Sequence, residues 1–319
     1  MSVAACLLLY SFVMAVLAPR PLRRLTRTGA TPRLGVSAWL AVMLSVVVSW
    51  AAAAAFLAAE LARDWNRPSQ LASACFAALR AVATGRSGLA LQAGLLVLTA
   101  AATAALTALA WRLGRTMLSA RTRTHQHAHA ARIVGRRITG VDAVVLDAPE
   151  RAAYCVAGRP GTIVVTSSAL EVLGGRSLDA VLAHERAHLT GRHHQVLALT
   201  RGLAAILPRI TLFAVGADQV ARLLEMCADD AAARRHGHDT LLDALVALTA
   251  QPPLPRGALG ATGTGVLARA ERLATPAAPG TRRRARIALN GVVLLALTGP
   301  VLTAMMAASG LAVCDFGMG

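Results

Sequence analysis

Val181-Leu-Ala-His-Glu-Arg-Ala-His-Leu-Thr-Gly-Arg-His-His194 decides how this chain is read. Within it, His184, Glu185 and His188 form an HExxH spacing. Two histidines four residues apart on a helix lie about 40° apart around its axis, so both imidazoles can reach one metal ion. The carboxylate between them then stands where a general base can take a proton from an attacking water. Just upstream, Ser177 is a suitable N-cap and Asp179 would favour the helix dipole, which predicts a helix over residues 178–191.

Two histidines do not complete a catalytic zinc site, which needs a third protein ligand. Downstream stands Arg222-Leu-Leu-Glu-Met-Cys-Ala-Asp-Asp-Ala-Ala-Ala-Arg234, a helical pattern with Glu225 and Asp229 on one face. Glu225 can complete a His2Glu set, and Asp229, one turn on, can accept a hydrogen bond from the far nitrogen of a histidine ligand. An oxyanion donor is sought among Arg234, Arg235 and His236, two to three turns after Glu225. His125, His127 and His129 alternate in a basic stretch. Only His125 and His129 share a helical face, so they read as a solvated surface.

Between residues 133 and 178 the pattern changes. β-Branched runs at 141–146, 152–156 and 162–166, separated by turn formers, predict two or three strands of a small sheet. A short helix over 167–173 follows, stopped by Gly174-Gly175.

The rest of the chain points to a bilayer. Of 319 residues, 55% are hydrophobic and 15% charged, which is too apolar for an ordinary soluble domain. Four stretches approach or reach the length of a span: 2–18, 35–59, 88–111 and 287–313. Arginines follow the first of these instead of preceding it, which argues against a cleaved signal peptide. Arg201, Pro208 and Arg209 interrupt the apolar run 195–216, which is read as buried or membrane-skimming structure. The predicted spans carry no charge, which disfavours a transporter.

All 33 basic residues are arginine, and the net charge is +17. They cluster beside the spans instead of forming one face, so nucleic-acid binding is not expected and a basic rim on anionic lipid is. By the positive-inside rule both termini lie outside and the segment 112–286 lies in the cytoplasm. The expected organisation is an α+β membrane protein. Residues 1–111 would form three spans, 112–286 a cytoplasmic zincin-like protease domain, and 287–319 a fourth span with a short external tail. Cys155 and Cys227 would then be reduced. Cys75 and Cys314 would share the outer side, where a disulfide between them is possible.

The pairing of His-Glu-Arg-Ala-His with the later Glu-Met-Cys-Ala-Asp resembles gluzincin-type integral membrane metallopeptidases. It resembles the BlaR/MecR type more closely than the HtpX type or the CAAX prenyl proteases. The likeness covers most of the chain, down to Ala268-Arg-Ala-Glu-Arg-Leu273, which is similar to that family's late R-x-x-R-L helix. The resemblance implies that His184, His188 and Glu225 bind one zinc ion, that Glu185 activates water and that Asp229 orients a histidine. It also implies a protein substrate, a cytosolic winged-helix repressor. The antibiotic sensors of that type carry a penicillin-binding domain after the last span; this sequence ends at Gly319, so β-lactam sensing is not expected. The rival readings are an HtpX-like quality-control protease and a non-catalytic membrane scaffold. The intact Glu185 argues against the scaffold.

Overall fold

The computed structural model describes residues 3–63, 88–138, 142–158, 160–249 and 263–309. The positions of Cys75 and Cys314 lie outside these residues. The apolar N-terminal run forms α1 (Val3–Leu17), and Pro19 heads a second, basic helix, α2 (Pro19–Thr26). The two are bent by 44°, so the first expected span is a broken pair and not one straight helix. At about 1.5 Å per residue, α1 alone falls short of a hydrocarbon core about 30 Å thick.

Three further helices are long and apolar enough to cross a membrane within α3 (Pro32–Arg63), α4 (Gly88–Val134) and, at the C-terminal end, Pro279–Ala308. Among the described residues there are thus three candidate spans, or four if the bent pair counts as one. α4 continues from its apolar part through the basic stretch without a break, as expected.

A four-stranded sheet follows: β1 (Arg136–Arg137), β2 (Val144–Leu146), β3 (Ala153–Val156) and β4 (Thr162–Thr166), in the order β1-β2-β4-β3. β2 and β4 are parallel and the other pairs antiparallel. β4 is central and wholly buried, which suits its β-branched run. Its alternate side chains serve two layers. Ile163 and Val165 pack with Val181, Leu182 and Ala244 on one side, and Val164 packs with Ala128 and Ala131 of α4 on the other. β1 was not expected, because two exposed arginines carry no strand signal; Arg136 and Arg137 join by backbone pairing opposite Val145 and Val144. The expected start of β2 at Val141 falls outside the described residues.

After the sheet the chain is helical: α5 (Ser167–Val172), α6 (Gly175–Thr190), α7 (His193–Ile206), α8 (Thr211–His236), α9 (His238–Thr249), α10 (Gly263–Ala274) and α11 (Pro279–Ala308). The Thr166 side chain caps α5 by accepting from the Ala169 N–H. α6 begins earlier than expected. Its N-cap is Gly174, whose carbonyl accepts from Leu178 N, so Ser177 lies inside the helix and Asp179 beyond its first turn. α5 stops just before the two glycines, as expected, and Gly174 is extended while Gly175 already opens the next helix. α7 ends at Ile206, with Leu207 as its C-cap just before Pro208, and with 14 residues it is too short to cross a bilayer.

α8 joins the two halves of the molecule. Its N-terminal half packs Leu212, Phe213 and Val220 against Trp39, Val42 and Met43 of α3. Its C-terminal half packs Ala232 and Ala233 against Ala180 and Ala183 of α6. Gly216 makes the first contact possible: a Cβ there would stand 2.1 Å from Met43 Cε and 3.0 Å from a Trp39 ring carbon.

Candidate metal centre

α6 and α8 lie face to face, with the small residues Ala180, Ala183, Ala232 and Ala233 between them. This close approach brings Glu225 of α8 up to the paired histidines of α6. His184 Nε2 and His188 Nε2 are 3.1 Å apart. Glu225 Oε2 stands 3.6 Å from the first and Oε1 3.5 Å from the second. Three ligands at about 2.1 Å in a tetrahedral arrangement must be separated by about 3.4 Å. The donor set, two imidazoles and a carboxylate, and its spacing therefore both fit a zinc ion with a fourth position left for water. Among the described residues, His125, His127 and His129 make no comparable group; His127 instead lies beside the Tyr154 ring.

Around the three donors lies a shell of partners. His184 Nδ1 is 3.1 Å from Asp229 Oδ1, and Asp229 is fully buried. Arg269 of α10 grips that carboxylate through two nitrogens, Nε to Oδ2 at 2.9 Å and Nη2 to Oδ1 at 2.7 Å. Its Nη1 also lies 3.2 Å from Glu225 Oε2. His188 has its own partner, since its Nδ1 is 2.9 Å from Nδ1 of His193, a buried residue at the start of α7. Gly191 makes room for that ring: a Cβ there would meet His193 Nε2 at 2.5 Å. Arg192, between them, takes the left-handed conformation that turns the chain from α6 into α7.

The electrostatics follow from this packing. Burial opposes a charge on His184, but the Asp229 and Glu225 carboxylates overcome it and hold the imidazole up at about 9. Burial pushes His188 down to about 4, outweighing Glu225. Burial also opposes ionisation of Glu225 and Asp229, yet the histidines and Arg269 hold both at about 2. Glu185 goes the other way. Buried beside the Cys155 thiol of β3, its carboxyl is pushed above the ordinary range, chiefly by burial. A raised carboxyl is suited to taking up a proton and giving it back.

Of the residues singled out in the sequence, the structure brings together His184, Glu185, His188, Glu225 and Asp229. It does not bring Arg234, Arg235 or His236 to them. These sit at the C-terminal end of α8, nine to eleven residues beyond Glu225, about 14–17 Å along the axis, with both arginines exposed. Arg269 and His193 are the partners sequence reasoning missed. The R-x-x-R-L likeness marked the segment of the first but not its target. Two histidines directly after the motif were the only signal for the second.

Residues 118–254 match the model of peptidase family M48. No curated protein and no solved structure matches the chain. The match runs from the basic end of α4 through the sheet, α6 and α8 to just past α9, and so encloses all three candidate ligands, while Arg269 lies beyond it. With its His-His-Glu donor set inside the matched region, this chain carries an M48 zinc metallopeptidase domain and is a hydrolase.

Proposed function

We propose that this protein is a membrane-embedded zinc endopeptidase that cuts a peptide bond at the cytoplasmic face, and that its substrate is a regulatory protein, a transcriptional repressor of the winged-helix kind. The observation that carries the reading is the convergence of His184, His188 and Glu225 beside the buried Glu185. The assignment of residues 1–111, 112–286 and 287–319 to three spans, a cytoplasmic protease domain and a last span rests on the arginines flanking the apolar stretches. The BlaR/MecR-type likeness supports the regulatory role, and the contact of Arg269, from the R-x-x-R-L stretch, with Glu225 and Asp229 is consistent with it.

In this reading His184, His188 and Glu225 would hold a zinc ion, which would supply Lewis-acid polarisation of the scissile carbonyl and of water. Glu185 takes the proton from the attacking water and delivers it to the amine as the C–N bond breaks. Asp229 fixes the tautomer of His184 through Nδ1, leaving Nε2 free to serve as a ligand, and His193 does the same for His188. β3 pairs only with β4 among the described strands, so its outer edge can take an extended substrate as an added strand. Cys155 of β3 neighbours Glu185, so a peptide on that edge passes the general base.

Comparison of protein N-termini in cells with and without the active enzyme tests the role. A single new cut in a DNA-binding protein is the expected result. Cuts spread over many membrane proteins would favour the quality-control reading, and none at all the scaffold.

A further inference from the structure

The exposed face of α1 carries Leu9, Phe12, Val13 and Val16 at helical spacing, and the same spacing runs on into Arg20, Arg23 and Arg24 of α2 and its C-cap Arg27. Along this stripe the surface changes from apolar to cationic within one turn, at the bend between the two helices. At the cationic end the four arginines line an open cleft of about 500 Å³ together with Gln219 and Arg222 of α8.

The arginines of this cleft are held together in a concave site without acidic partners among its lining residues. Elsewhere Arg186 pairs with Asp142, Arg269 with Glu225 and Asp229, and Arg272 with Asp230. Among the described residues no carboxylate lines the cleft, although five guanidinium groups do. Arg222 is fixed in place: it donates to Thr26 O at 2.8 Å, Arg27 O at 3.1 Å and Gln219 Oε1 at 3.0 Å. Like charges held together in a concave site attract an anion with several acceptor oxygens, and guanidinium groups match phosphate in geometry.

We propose that the α2–α8 cleft binds the phosphate of an anionic phospholipid, with the acyl chains lying along Phe12, Val13, Val16 and Leu17. The juxtaposition of an exposed apolar face with a cationic cleft matches an amphipathic ligand and not a soluble phosphate. Basic pockets at the ends of membrane helices take such headgroups. The site lies close to the metal centre along two elements. Arg222 is three residues before Glu225 on α8, and Ala268, which also lines the cleft, precedes Arg269 on α10. The inference is independent of which substrate the enzyme cleaves.

The test uses the full chain in nanodiscs of mixed phosphatidylcholine and phosphatidylglycerol, followed by transfer to detergent and counting of retained lipid by native mass spectrometry. Wild-type protein should retain phosphatidylglycerol over phosphatidylcholine. The exposed pair Arg23→Gln/Arg24→Gln should lose retention on the order of tenfold. The flanking pair Arg20→Gln/Arg27→Gln should do likewise, so the result does not hang on one variant's folding. Arg282→Gln/Arg283→Gln, an equal loss of exposed charge at the start of α11, should retain lipid as wild type does. Equal loss in all three pairs, or no preference for phosphatidylglycerol, overturns the site. Thermal stabilisation by inorganic phosphate as large as that by phosphatidylglycerol would assign the cleft to a soluble anion and overturn the lipid.

Discussion

Arg269 holds Asp229 from below while Asp229 faces His184: the guanidinium makes two hydrogen bonds to a fully buried carboxylate whose Oδ1 is 3.1 Å from the imidazole Nδ1. A third contact, to Glu225, places one arginine against both acids of the centre. An isolated buried carboxylate is costly, so His184 and this cation together keep Asp229 ionised there.

Removing that cation should therefore be severe. Arg269→Ala is expected to destabilise the protein by about 3–5 kcal/mol, because it strips a buried carboxylate of its cation and two hydrogen bonds. Arg269→Lys should fall between, since an ammonium cannot reproduce the two-nitrogen grip. Thermal unfolding in detergent reads both; a wild-type melting temperature for Arg269→Ala would show that the pair does not stabilise the fold.

The proposed base and the proposed ligands should separate cleanly. Glu185→Ala is expected to bind zinc as wild type does and to cleave nothing, whereas His184→Ala and Glu225→Ala should lose both zinc and cleavage. Zinc content by elemental analysis and a peptide-cleavage assay decide this. Full cleavage by Glu185→Ala would falsify the mechanism.

His193 should matter through His188. His193→Ala leaves His188 Nδ1 without its partner, and the expected loss of zinc affinity is about 10–100-fold with the fold intact. His193→Asn, which can still hydrogen-bond, should recover part of it. Competition titration against a zinc chelator measures both, and an unchanged affinity in the alanine variant would remove His193 from the site.

Metal removal should be felt in stability as well as in activity. A chelator is expected to abolish cleavage and lower the melting temperature, and re-added zinc should restore both, because an ion bound only by the folded state stabilises it. No thermal shift on chelation would mean that the three donors bind no ion tightly.

The α3–α8 contact offers a test away from the chemistry. Gly216→Ala should cost about 1–3 kcal/mol, since its Cβ would meet Met43 and the rigid Trp39 ring. Met43→Ala in the same chain should return part of the loss. A Gly216→Ala protein as stable as wild type would show that the helices separate easily there.

How much of this was legible in advance depends on the range of the signal. Apolar length without charge marked α3, α4 and α11, and spacing of four marked His184 with His188 and Glu225 with Asp229, because those patterns repeat within one helix. β4 was equally plain from its β-branched run. The edges of elements were not. Ser177 looked like a cap, yet the permissive Gly174-Gly175 pair let α6 start earlier, and Arg136–Arg137 became a strand only because β2 offered backbone partners.

The sequence by itself determined which side chains share a face: two imidazoles on one helix, two carboxylates on another, and the arginines at the ends of apolar runs. Local periodicity encodes that much, since it needs only the geometry of a single element. Tertiary structure alone decided which faces meet. Alanines at 180, 183, 232 and 233 let α6 and α8 come close, and α10 delivers Arg269 to Asp229 from 40 residues away. A contact between distant segments depends on the packing of everything between them, and no spacing along the chain records it.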